Sequence, residues 1–473
     1  MVNLEDLSRI LNVDKDEHGN GGTVLVQAGI SLGELNQKMQ QHGLTVPNLG
    51  SIDVQSVAGA IATATHGSST RHGLLSQYVR GLRIVLADGH AVWCDGQLES
   101  DLFRAALVSL GAIGIITEVE IQMTPSTDIE WEQRLVSLDH VLNTWEKELW
   151  TQAEYVRCWW LPYAQRAILW KADKTTKPRR SPKASWYGGA LGFHTYHILL
   201  WAAQYFPRIL PTVEWFIFGM QYGFKPGSIT SGVEEQRMGL LMDCLYSQFV
   251  NEWALPLHKG PEALTRLSKW LNGDELGSRI PFSSKGLYVH SPIEVRATDN
   301  SSSGTATYLR GFMDPTVADG PTLYLNATLY RPYGKDPPCR ERYYEAFEWL
   351  MKELGGRPHW AKNFATVTHA QLMEMYGEDM KAFLKVREEV DSDGMFVGAW
   401  QRRYLLGEEA PVGILEEQEV NRTKMLVGGG LEWTGEQALH SYGASLVVKK
   451  TMSMTGNEDF EFVEADDELV LKV

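Results

Sequence analysis

Apolar and polar positions alternate clearly in two separate stretches of the chain. Thr23-Val24-Leu25-Val26-Gln27-Ala28 is a β-rich run opened by Gly21-Gly22, and a helix is predicted directly after it. Ser31 is placed to accept at that helix start, with Glu34 reaching back as a capping box. Leu32, Leu35 and Met39 form an apolar stripe, and Gly43 ends the helix. Residues 82–86 and 91–93 flank the turn Ala87-Asp88-Gly89-His90, which predicts a hairpin. Residues 109–121 read as a glycine turn running into a buried strand. Residues 1–9 read as the end of a strand followed by a short helix, as though the chain began inside a domain.

The second stretch is larger. Residues 322–330 form a strand-like run suited to a large sheet. Residues 340–354 predict a helix with Tyr343, Phe347, Leu350, Met351 and Leu354 on one side, stopped by Gly355-Gly356. The pattern is that of an α+β protein: a mixed domain over 1–135, an antiparallel sheet flanked by helices over 136–410, and an extension over 411–473. In that extension a strand is possible at 444–448, and residues 458–468 carry seven acidic groups and no basic one, as a solvated tail would.

Residues 184–207 contain no Asp, Glu, Lys or Arg, and the aromatic-rich stretch continues to about 224 around Glu214. Three readings stand: monotopic attachment to a membrane face, buried core, or a true span. Gly188, Gly189, Gly192, His194 and His197 weaken the span, and aromatic residues mixed with polar atoms suit the water–lipid boundary.

A length of 473 residues calls for two or three domains. The formal net charge of -15, from 59 acidic and 44 basic residues, argues against a nucleic-acid partner. Cys94, Cys158, Cys244 and Cys339 lack zinc-site or dense disulfide spacing and read as free thiols.

No Gly-x-Gly-x-x-Gly stands between a strand and a helix, so the usual dinucleotide fingerprint is missing. Two other small-residue segments are candidates. The first runs from Pro47 through Gly50, Ser51, Ser56, Val57, Gly59 and Ala60 to His66, Gly67 and Ser68. The second spans Gly111, Gly114, Ile115 and Ile116. Small residues let a backbone approach a flat ligand or a diphosphate; a tightly packed small-residue helix and an ordinary buried strand are the bland accounts. Glu294 and Arg296 in Pro292-Ile293-Glu294-Val295-Arg296 share one side if the run is a strand, where they could grip a polyol or form an ordinary ion pair. His359-Trp360-Ala361-Lys362 adds a titratable imidazole, an aromatic residue read as core filler, and a cation.

Taken together, PNLGSIDVQSVAGAIATATHGS, GLRIVLADGH and SLGAIGIITEVEIQ resemble the FAD-binding, PCMH-type domain of the vanillyl-alcohol-oxidase superfamily, with the fungal aldonolactone oxidoreductases the best match. The resemblance covers about residues 1–409. It implies FAD as cofactor, with Gly50, Ser51, Ser56, Val57, Gly59, Ala60, His66, Gly67, Gly111, Gly114, Ile115 and Ile116 as contacts. It implies that Glu294 and Arg296 orient a sugar lactone, that His359 relays a proton, and that Lys362 offsets charge on the reduced flavin. The implied reaction is oxidation of D-arabinono-1,4-lactone by oxygen to the dehydro-lactone, D-erythroascorbate, and hydrogen peroxide. A membrane setting at the mitochondrial outer membrane is implied as well. Relatives usually begin with an earlier flavin subdomain, so the resemblance leads us to expect an N-terminally incomplete flavin domain with no covalent attachment residue. A lactone dehydrogenase using another acceptor and a flavin-poor membrane scaffold are the alternatives.

Overall fold

The alternating runs are gathered into two antiparallel sheets. The computed structural model describes residues 3–182, 189–242, 244–290, 292–301 and 309–408, with a short hairpin at Val463–Ala465 and Glu468–Val470. The possible strand at 444–448, the rest of the tail and the first residues of the apolar run lie outside the described residues.

The first sheet contains β1 (Ile10–Lys15), β2 (Gly22–Gln27), β3 (Leu44–Thr45), β4 (Val79–Val85), β5 (Ala91–Asp95) and β6 (Ile115–Pro125). Its order is β1-β2-β6-β4-β5, with β3 paired to β6. On β6 the alternation buries Val119, Ile121 and Met123 on one side. The expected hairpin forms between β4 and β5, with Val85 opposite Ala91. The helix Leu32–Gln40 starts as the sequence predicts, with Ser31 accepting from the Glu34 N–H at 3.1 Å, but Glu34 turns its carboxylate to Lys38 at 2.6 Å instead of closing a capping box. The short helix expected before residue 9 is absent among the described residues; a turn between Leu4 and Leu7 leads into β1.

The second sheet begins at Asp128, directly after β6. Its strands are β7 (Asp128–Ser137), β8 (Tyr155–Leu161), β9 (Arg166–Thr175), β10 (Ile229–Glu235), β11 (Gln248–Pro256), β12 (Ile293–Thr298), β13 (Thr322–Tyr330) and β14 (Arg357–Pro358). They lie in the order β10-β7-β9-β8-β12-β13-β11-β14. The helix Arg340–Glu353 packs on one face, where Asn251 donates to Glu348 at 2.7 Å and Tyr344 to the Ala327 carbonyl at 3.0 Å. Every residue of β12 is buried, because the Pro47–Ser69 segment of the first domain lies over the opposite face. Ser69 N–H donates to the Ala297 carbonyl at 2.7 Å, Tyr155 Oη–H to the Pro47 carbonyl at 2.8 Å, and Met242 N–H to the Ser51 carbonyl at 2.8 Å. One continuous hydrophobic core runs through both sheets.

The apolar run divides into two helices, Ala190–Ala203 and Leu210–Tyr222, joined by a turn at Pro207–Ile209. No helix among the described residues is long and apolar enough to cross a membrane. The inner faces bury Tyr196, Leu200, Leu210, Val213, Ile217 and Phe218 against Leu135, Leu161 and Ile168 in a second, smaller core. Their outer faces leave Leu191, Ile198, Trp201, Tyr205, Phe206 and Trp215 exposed.

Candidate active site

Pairing between strands, with its period of two, builds the site. On one face of the second sheet, Glu294 of β12 stands opposite Asn326 of β13, and Asn326 stands opposite Glu252 of β11. One step along, Arg296 lies between Tyr324 and Arg157 of β8. A polar row is thus laid across three neighbouring strands, facing the first domain. Between them lies a cavity of about 670 Å³, within the range of cofactor and small-ligand pockets. Gly50, Ser51, Gln55 and His66 line one side; Arg157, Glu252, Glu294, Arg296, Asn326 and Lys362 line the other.

Glu294 and Arg296 share a side as expected, with Nη2 donating to Oε1 at 2.6 Å. Arg296 Nη2 also donates to Ser51 Oγ, which ties the two domains together. Burial opposes the Arg296 cation, yet Glu294 and then Glu252 more than offset it and hold its pKa above the usual guanidinium value.

At the other end of the row sits Glu252, a buried carboxylate that no sequence motif singles out. Lys362 Nζ is 3.6 Å from its Oε2, and His66 Nε2 is 3.3 Å from its Oε1. Burial alone would push the Glu252 carboxyl up; the Lys362 ammonium and His66 instead hold it well below the ordinary carboxylate value. His66 stacks on Tyr324 with ring centroids 3.6 Å apart, and its Nδ1 is 2.9 Å from the Gly67 carbonyl oxygen.

His359 lines the cavity, and both of its ring nitrogens have partners. Its Nδ1 accepts from the Ala361 N–H at 3.2 Å, and its Nε2 donates to the Ala64 carbonyl at 3.1 Å. With both nitrogens engaged and burial pushing its pKa down to about 3, the neutral ring links the two domains. Trp360 is core filler as expected, donating from Nε1 to the Met313 carbonyl at 2.6 Å.

The small residues divide in two. Gly50, Ser51 and His66 line the cavity; Ser56, Val57, Gly59, Ala60, Gly67, Gly111, Gly114, Ile115 and Ile116 do not. Ser56 caps the helix Val57–Ala62, and the Leu110 N–H donates to the Ala62 carbonyl, so the two segments adjoin. Gly59 and Gly111 lie on the exposed surface there. Gly67 and Gly114 are required by protein contacts: a Cβ would stand 2.0 Å from Asn48 Oδ1 at the first and 2.6 Å from the Val85 carbonyl oxygen at the second. Ile115 and Ile116 pair with Val85 and Ile84 of β4.

The residues fit a flat redox ring. The cavity joins the first domain's glycine segment to the polar row, and it has unmet hydrogen-bonding capacity: Gln55 Oε1, Arg157 Nε and Arg296 Nε are buried without partners among the described residues. Solved cholesterol oxidases share the fold at low sequence identity. A solvent-stable enzyme aligns with TM-score 0.66 and 14% identity over 85% of this chain and 84% of its own; the enzyme from B. sterolicum gives 0.65 and 14% over the same shares. Residues 1–95 match the FAD binding domain family. The likeness to those structures shows the fold, and the family match makes the chain a flavin-binding oxidoreductase. Residues 119–404 match the D-arabinono-1,4-lactone oxidase family, and the chain belongs to it. The D-arabinono-1,4-lactone oxidase of Yarrowia lipolytica is 38% identical over 85% of this chain and 86% of its own length. That of Saccharomyces cerevisiae is 35% identical over 84% of each. A Neurospora crassa protein given the same name provisionally is 48% identical over 93% of this chain and 82% of its own.

Proposed function

We propose that the protein oxidises D-arabinono-1,4-lactone with oxygen, giving the dehydro-lactone and hydrogen peroxide. The observation that carries this reading is the buried Glu294–Arg296 pair facing the glycine-lined side of one cavity. FAD, when bound, would supply the two-electron acceptor for the hydride on lactone C2 and the link to oxygen. Arg296 Nε, without a protein partner, donates to a lactone oxygen. Glu294 Oε1 is held by Arg296, which leaves Oε2 to take the proton of the C2 hydroxyl. Glu252 is locked between Lys362 and His66 and does not compete for that proton. The Lys362 ammonium offsets negative charge near the ring. Ser51 keeps Arg296 in register with the first domain.

We also infer that the outer face of the helical hairpin rests on a lipid surface, at the mitochondrial outer membrane to which the family resemblance points. Clustered exposed aromatic and aliphatic side chains on two helices without a spanning segment support a monotopic attachment.

Anaerobic mixing of the flavin-loaded protein with D-arabinono-1,4-lactone tests the reaction. Bleaching of the flavin band, followed by stoichiometric peroxide on admitting oxygen, is expected; an unbleached flavin sinks the proposal.

A further inference from the structure

The cavity holds one more cation than this chemistry uses. Arg157 stands directly opposite Arg296 on the neighbouring strand, where Cβ atoms are about 5 Å apart and like charges destabilise a sheet. Both residues are 6% exposed and both line the cavity. Arg296 has Glu294, but among the described residues no carboxylate is ion-paired with Arg157. Arg157 donates to the Leu240 and Gly239 carbonyls at 2.7 and 3.4 Å, and its guanidinium lies 4.1 Å from the Trp170 ring centroid. Its Nε, like that of Arg296, is buried without a partner among the described residues. Glu252 is taken up by Lys362 and His66, so the two adjacent guanidiniums have only Glu294 beside them and each keeps an orphaned N–H, an arrangement that a bound anion completes.

We infer that Arg157 is the anion-binding residue of the cavity and that its ligand is the enolate of the oxidised five-membered lactone. The inference rests on the lactone-oxidation reading and deepens it. The incoming lactone is neutral, and Glu294 with Arg296 suffices to orient it. Loss of hydride from C2 and of the hydroxyl proton leaves a 2-keto lactone. Transfer of its C3 proton to the C2 oxygen gives a 2,3-enediol, whose C3 hydroxyl is conjugated through the double bond to the lactone carbonyl. That hydroxyl releases its proton to solvent as a carboxylic acid does. The resulting charge is shared between the C3 oxygen and the carbonyl oxygen, a planar acceptor suited to guanidinium donors. Burial, and then the Arg296 charge, push the Arg157 pKa down to about 9, so it stays cationic at neutral pH in a setting that an anion relieves.

Tetronate, a redox-inert five-membered lactone enolate, is the probe. Its affinity is measured by calorimetry, with and without FAD, for the wild type, Arg157→Gln and Arg157→Lys; KM for D-arabinono-1,4-lactone is measured in parallel. Losing a charge-assisted hydrogen bond costs about 10- to 100-fold in affinity. Arg157→Gln is therefore expected to weaken tetronate by at least about tenfold more than it raises the lactone KM, with partial rescue in Arg157→Lys, which also serves if the Gln variant does not fold. The linear acid D-arabinonate, a carboxylate of similar composition, is expected to bind the wild type more weakly than tetronate. Equal losses for tetronate and lactone, or tetronate affinity indifferent to Arg157, would overturn the inference; D-arabinonate binding as tightly as tetronate would overturn the enolate assignment. If the lactone bleaches the wild-type flavin but tetronate ignores Arg157, this inference alone fails. If the lactone does not bleach it, the lactone-oxidation reading fails whatever tetronate does.

Discussion

Lys362 and Glu252 meet at 3.6 Å although one follows β14 and the other lies within β11, and the pair closes one end of the polar row. The carboxylate is 2% exposed, while the lysine side chain keeps 31% of its surface. Replacing Glu252 with Gln leaves a part-exposed ammonium and a buried imidazole without their counter-ion. Breaking a fully buried pair costs about 3–5 kcal/mol; the exposure of Lys362 reduces the expected loss to about 1–3 kcal/mol. Because the folded carboxyl is held below its ordinary value of 4.5, its contribution is fully present above that pH and is lost as pH falls further. Thermal unfolding of wild type and Glu252→Gln from neutral to acidic pH should therefore show a gap that narrows below pH 4.5. A constant gap would mean that charge is not its source.

Arg296→Ala is expected to keep FAD and lose the lactone. With a charged hydrogen-bond donor gone from a buried site, kcat/KM should fall at least about 100-fold. Flavin content is read from absorbance, and lactone-dependent reduction by stopped flow; unchanged reduction kinetics would remove Arg296 from the substrate site. Arg296→Lys should recover little, because an ammonium that takes over the Nη2 contacts to Glu294 and Ser51 has nothing in place of the buried Nε–H.

His359 should leave no mark on the pH–rate profile. Its folded pKa is about 3 against an ordinary value of 6.5, so the neutral ring contributes stability above the latter and loses it as pH falls between the two. His359→Gln is expected to lower stability near neutrality, with a deficit that shrinks toward acid, while the profile for flavin reduction keeps its shape. An acidic limb that disappears in the variant would support the proton-relay role.

Glu214 makes the opposite prediction. Burial raises its carboxyl to about 8, despite N–H donation from Ala164 and Tyr163 at 2.7 and 2.9 Å. A raised carboxyl pKa stabilises fully below the unfolded value of 4.5, and that stability is lost as pH rises through 8. Glu214→Gln should flatten this decline in thermal scans. Glu214→Leu should destabilise at every pH by leaving two N–H groups unmet, about 1–3 kcal/mol each.

Trp201→Ser, Phe206→Ser and Trp215→Ser together should reduce co-sedimentation with anionic phospholipid vesicles, since each residue is exposed on the hairpin's outer face. Flavin content serves as the folding control. Undiminished sedimentation would separate this face from lipid.

Local patterns made much of the fold legible. Ser31 announced its helix, Val85 and Ala91 their hairpin, and the spacing of Glu294 and Arg296 their shared side. Glu252 and Arg157 escaped because their partners are distant in sequence. Each sits alone in a buried strand, between Asn251 and Trp253 in one case and between Val156 and Cys158 in the other. A lone charge within such a run must find a partner, and that signal was available. The partners of His359 were hidden for a related reason: its two hydrogen-bonding neighbours include Ala64, from the other domain. Gly67 and Gly114 show that small residues near a ligand segment also answer to backbone packing.

The row from Glu294 through Asn326 to Glu252 draws each member from a different, internally paired strand. In the proposed reading the lactone contacts of Glu294 and Arg296 belong to a paired strand of the scaffold, whereas Ser51 and Lys362 reach the same cavity from outside the strands. A change at Glu294 or Arg296 would on that reading alter substrate contact and the stability of the sheet together.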